Sequence, residues 1–202
     1  MKSTKENIII IHEIGHLIMY MLYLLTSRKF DRDYFINNIF EISIVSDEIS
    51  LGRVEISNSI KNSGFCFRAV YLSGVLFSLE YIESYRYNFE SKEKLMNHLF
   101  EVYEKTGGSD DLTQIIKKFK RSSIKLPVYA YEFRKMIKVL KENESIQKII
   151  HKLYRGLQKN KSLSGDACYN IIKMYIPELK KLGKEIYNPF NRFRINAKAV
   201  LF

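Results

Sequence analysis

Only two cysteines occur in the 202 residues. Cys66 and Cys168 lie far apart and in no metal-ligand spacing, which argues against a thiolate zinc cluster or a disulfide framework and points to free thiols in a reducing compartment. No G-x-x-x-x-G-K-[ST] loop occurs, so the chain has no recognisable cradle for nucleotide phosphates. Internal repeats and low-complexity segments are absent too. The apolar run from Ile8 to Leu25 has neither a polybasic flank nor a small-residue cleavage site, so it does not read as a secretory signal. It is long enough to cross a bilayer, but His12, Glu13 and His16 stand near its start and are costly in lipid. A cytoplasmic protein without a membrane span is the expectation.

Hydrophobic residues make up 46% of the chain and charged residues 27%, enough for a sizeable core in one domain. The net charge of +11 is unevenly spread. Residues 1–110 carry 12 Lys/Arg against 15 Asp/Glu, and residues 111–202 carry 21 against 7. The basic second half suits either a solvated helical surface or recruitment of an acidic protein or nucleic acid.

The informative stretch is His12-Glu13-Ile14-Gly15-His16, an H-E-x-x-H motif inside the helix-like run from Asn7 to Thr26. Composition alone would produce that pattern somewhere in the chain about 0.5% of the time. On a helix, positions i and i+4 share a face, so both imidazoles can reach one point, as two ligands of a tetrahedral Zn²⁺ must. Glu13 sits beside that point, where it can take a proton from water and so act as general base. The alternative is a pair of buried histidines, each bonded to a carbonyl. A catalytic zinc needs a third protein ligand, and Asp111, Asp110, Glu80, Glu83 and His98 are all available.

Ser3-Thr4-Lys5-Glu6 has the form of a capping box, which starts the first helix at Ser3 or Thr4 and carries it to about Ser27. Gly15 would let another element approach the motif closely. Ile39 to Val45 and Leu51 to Ser57 are β-branched and alternating, with turn residues Ser46-Asp47-Glu48 between them, and predict a small antiparallel sheet beside the first helix. An edge strand there could hold a substrate backbone by strand addition; an ordinary hairpin covering the core is the other reading.

Phe65 to Tyr85 reads as a second helix, with Gly74 inside it and Glu80 and Glu83 at i, i+3. Tyr87 to Glu104 is mixed in pattern. Gly107-Gly108 breaks the chain, and Ser109 or Asp110 can cap a helix from Asp111 to about Arg121. Leu126-Pro127 ends that region. Tyr131 to Glu142 and Ser145 to Gln158 follow as amphipathic helices divided near Asn143. Leu163-Ser164-Gly165 is a turn, a last helix runs from Gly165-Asp166 to about Tyr175, and residues 188–202 form an irregular tail.

The order of these motifs resembles the peptidase domain of FtsH-type ATP-dependent zinc metalloproteases. His12-Glu13-Ile14-Gly15-His16 matches that family's H-E-A-G-H helix. Leu72-Ser73-Gly74 with Glu80 is similar to its L-G-G-R-A-A-E-E-like helix, and Thr106-Gly107-Gly108-Ser109-Asp110-Asp111-Leu112 to its T-G-A-S-N-D-L-like segment. Ile150-His151-Lys152-Leu153 through Lys161-Ser162-Leu163-Ser164-Gly165 resembles the helix that ends in its E-T-L-x-G-like turn. Val75-Leu76-Phe77-Ser78 stands where the family has Arg-Ala-Ala-Glu, Asp110 where it has Asn, and Tyr81 to Lys105 is a longer link. The family's ATPase domain has no counterpart in these residues.

The resemblance implies a mainly α (α+β) zinc metallopeptidase domain over residues 1–187 with a small antiparallel β-sheet. It further implies His12, His16 and Asp111 as Zn²⁺ ligands and Glu13 as general base. The expected activity is endopeptidase cleavage of flexible or unfolded protein substrates, with a separate ATPase as a possible partner. The competing expectation is a non-catalytic binding or regulatory protein that keeps the fold, its basic half recruiting an acidic partner or nucleic acid.

Overall fold

The computed structural model describes residues 4–44, 52–57, 64–81, 94–97, 99–101, 109–120 and 125–187. The fold is mainly helical with one three-stranded antiparallel sheet. Helix α1 (Lys5–Leu24) runs through its centre, with all but a few of its residues buried. Thr4 caps it, its hydroxyl accepting the Asn7 backbone N–H at 3.3 Å. Twenty residues make a rod about 30 Å long, and a helix apolar on every face must be wrapped by others. Among the described residues this is the one helix long and apolar enough to cross a membrane, and 83% of its most apolar window is buried inside the protein.

The closest wrapping comes from α3 (Gly64–Tyr81). Gly15 permits it: a Cβ there would stand 2.8 Å from the Ser73 carbonyl oxygen and 2.9 Å from Phe77 Cβ. A bare glycine thus lets the two helix backbones approach, as its place in the motif suggested.

Two polar contacts pin the later helices to α1. Tyr187 donates its hydroxyl to the Met19 carbonyl at 2.9 Å, and Tyr154 donates to Asn7 Oδ1 at 2.6 Å.

The sheet order is β2-β1-β3, with β1 (Ile39–Ser43) paired antiparallel to both β2 (Arg53–Ile56) and β3 (Ser162–Ser164). Ile39 and Ile42 face the core, while Phe40 is exposed. A register shift between Ile39 and Glu41 marks an irregularity in the β1–β2 pairing. The two strands expected from alternation are present at slightly shorter length. The third replaces the turn expected at Leu163-Ser164-Gly165. It forms because Lys161 ends the preceding helix at φ 61°, in the left-handed region, and turns the chain so that the Lys161 carbonyl accepts the Ile44 N–H at 2.7 Å.

A five-residue helix, α2 (Arg32–Ile36), capped by Asp31, precedes the sheet and escaped notice in the sequence. Helix α4 (Ser109–Lys120) begins two residues before Asp111. Leu126-Pro127 opens a helix as well as ending a region, and a further helix follows the one expected to be last. Pro127 and Pro177 lie in the first turns of α5 (Leu126–Glu142) and α8 (Ile176–Ile186), where a missing N–H costs nothing and the fixed φ suits a helix.

Between these helices lie α6 (Glu144–Asn160), α7 (Gly165–Ile172) and a 3₁₀ turn at Lys173–Tyr175. The break at Asn143 is where the sequence placed it, with the Asn143 side chain accepting the Ile146 N–H at 3.0 Å. Cys168 is a buried free thiol whose pKa burial pushes up to about 12. The turn at 46–48, the Gly107-Gly108 break, the Cys66 side chain and the tail 188–202 lie outside the described residues.

Candidate metal centre

Helix α1 presents His12 and His16 one turn apart, both buried. Asp111, in the first turn of α4, meets them from 95 residues further along the chain. His16 Nε2 lies 3.0 Å from His12 Nε2 and 3.0 Å from Asp111 Oδ2, and His12 Nε2 lies 3.2 Å from the same oxygen. Ligand atoms on a tetrahedral Zn²⁺ with bonds of ~2.0–2.1 Å stand about 3.3–3.4 Å apart. The triangle is therefore within a few tenths of an ångström of that spacing, and its two nitrogens and one carboxylate oxygen are donors zinc accepts.

The second layer supports the same geometry. His16 Nδ1 lies 2.8 Å from the Val70 carbonyl oxygen, which can only accept, so Nδ1 carries a proton and Nε2 points toward the other donors. Gly74 leaves the space those nitrogens occupy: a Cβ on it would stand 2.6 Å from His16 Nε2 and 2.7 Å from His12 Nε2. Neither the Val70 carbonyl nor the role of Gly74 was read from the sequence. A glycine inside an apolar helix was the available signal, because such a residue costs helix stability unless something needs its space.

The electrostatics favour positive charge at this point. Burial lowers the pKa of His12, against the pull of Asp111. Burial opposes charge on His16 as well, but Asp111, helped by Glu13 and the Val70 carbonyl, outweighs it and raises the pKa to about 9. Burial also works against ionising Asp111, yet both imidazoles hold its carboxyl well below the usual carboxylate range. An anionic carboxylate between two ring nitrogens attracts a cation, whether a proton or a metal ion.

Glu13 is buried beside this group and borders a cleft of about 310 Å³ that is also walled by His16, Asp111 and Tyr71. Burial raises its pKa to about 7, with His16 opposing and Asp111 reinforcing. Gly52 allows the chain to pass close over it, since a Cβ there would lie 2.7 Å from Glu13 Cγ. Arg53, Val54 and Ile56 of β2, which stands at one end of the strand order, form another wall.

The other ligand candidates fall elsewhere. Glu80 lies six residues beyond Gly74, about 9 Å along the helix. There its buried carboxylate accepts Arg134 Nε at 2.7 Å, with Lys141 Nζ 3.7 Å away. Glu83 and His98 are outside the described residues, as is the side chain of Asp110. No family model matches the chain, and neither does any curated protein or solved structure.

Proposed function

We propose that the chain is a zinc-dependent metalloendopeptidase of the FtsH peptidase type, acting on flexible or unfolded protein chains. The convergence of His12, His16 and Asp111, with donor atoms all within 4.8 Å of one another, is the observation that carries this reading. These donors, cradled by Gly74, are of the kinds and number that would hold a catalytic Zn²⁺. When bound, zinc would polarise the scissile carbonyl and make water acidic enough to be used near neutral pH.

The chain's own residues supply the rest. Val70 fixes the orientation of the His16 ring. Glu13, poised by burial to exchange a proton near pH 7, takes one from the attacking water and hands it to the leaving amine. The cleft beside β2 offers an extended substrate a place to lie. The test is zinc analysis of the purified, zinc-loaded chain together with cleavage of casein. One zinc per chain and cleavage suppressed by a chelator are expected; a chain that takes up no zinc would end the reading.

A further inference from the structure

Bound zinc would take part of the charge that builds on the carbonyl oxygen, and a hydrogen-bond donor beside it would take more; the motif residues do not include such a donor. His12, His16 and Asp111 converge on one point, and Glu13 is a proton acceptor. The cleft wall offers Tyr20, Arg53 and Tyr71 as polar alternatives. Tyr20 is buried, and Arg53 is exposed and paired with Glu55 at 2.9 Å.

Tyr71 is different. It is half-buried and follows Val70, whose carbonyl holds His16. It precedes Gly74 by three residues, so both lie on the α3 face turned toward the histidines. Tyr71 lines the same cleft as Glu13 and Asp111.

We infer that Tyr71 is a catalytic residue whose phenol donates a hydrogen bond to the substrate carbonyl oxygen in the transition state. This role rests on the peptidase reading above. As water adds to the carbonyl carbon, the C=O π pair moves onto the oxygen, where the Tyr71 O–H meets it, and Glu13 holds the proton removed from water. The pair then returns, the C–N bond breaks, and Glu13 passes its proton to the amine. Tyr71 keeps its own proton throughout, so the balance is peptide plus water giving acid plus amine. Burial, and then the charge of Asp111, push the Tyr71 pKa up to about 12, so it remains a donor at any working pH.

Tyr71→Phe removes one oxygen atom and leaves the ring, which makes it a mild test. Zinc-loaded wild type and variant are titrated with a phosphinic peptide, whose tetrahedral oxygens imitate the adduct. The control is a mercaptoacyl peptide, which reaches the metal through sulfur and presents no such oxygen. The variant should keep one zinc per chain, bind the phosphinic peptide about 10- to 100-fold more weakly and bind the mercaptoacyl peptide as before. Its kcat on casein should fall about 100-fold with KM little changed. Equal phosphinic-peptide affinity in the two proteins at equal zinc content would overturn the role of Tyr71 alone. A zinc-loaded wild type that bound neither compound and cleaved nothing would overturn the peptidase reading, and Tyr71 with it.

Discussion

Gly74 and His16 approach so closely that a side chain on Gly74 would push the imidazole aside: a Cβ there would stand 2.6 Å from His16 Nε2. The helix α3 therefore serves the two histidines by what it lacks. Gly74→Ala should separate two effects that usually travel together. Alanine favours a helix interior over glycine by about 1 kcal/mol, so folding should survive. The added methyl displaces the rings, and zinc affinity should fall about 10- to 100-fold, as it does when groups that orient metal ligands are disturbed. Competition with a chelating dye would measure it, and undiminished affinity would contradict the cradle.

Asp111 and Glu80 should fail in opposite ways. Asp111→Ala removes a proposed ligand and should weaken zinc binding sharply while leaving the fold intact. Glu80→Ala removes the buried carboxylate to which Arg134 donates, and breaking a buried pair costs about 3–5 kcal/mol. That variant should unfold at markedly lower urea yet hold zinc at full stoichiometry while folded. Urea titration beside zinc titration checks both; loss of zinc in Glu80→Ala with retention in Asp111→Ala would reverse the ligand assignment.

ATP should have no effect on the isolated chain. The sequence has no G-x-x-x-x-G-K-[ST] loop, the feature that would lead one to expect stimulation by ATP. Casein should be cleaved at the same rate with and without Mg-ATP, and a stably folded substrate should resist both. Stimulation of the pure protein by ATP would contradict this.

The sequence made some of these relationships legible and hid others, for physical reasons. The i, i+4 spacing of His12 and His16 is a local property of a helix, so it could be read directly. That Asp111 meets them could not be derived from spacing, because 95 residues separate it from His16; only the order of motifs singled it out. Glu80 stood among the candidate ligands because a helix glutamate downstream of the motif can serve as one, and its partner Arg134 is 54 residues away. Strand β3 is three residues long, two of them serine, and exists only because β1 offers it an edge. Pro127 and Pro177 break helices from within but begin them at the first turn, and the sequence around them did not say which.

Glu13 is proposed as the base of a zinc-dependent hydrolysis and not as a metal ligand. The direct measurement is the rate of casein cleavage by wild type and Glu13→Gln at equal zinc content. One zinc per chain is expected in both proteins, with a rate at least about 100-fold lower in the variant, the usual worth of a positioned general base. A variant that cleaves as fast as wild type while holding its zinc would contradict it.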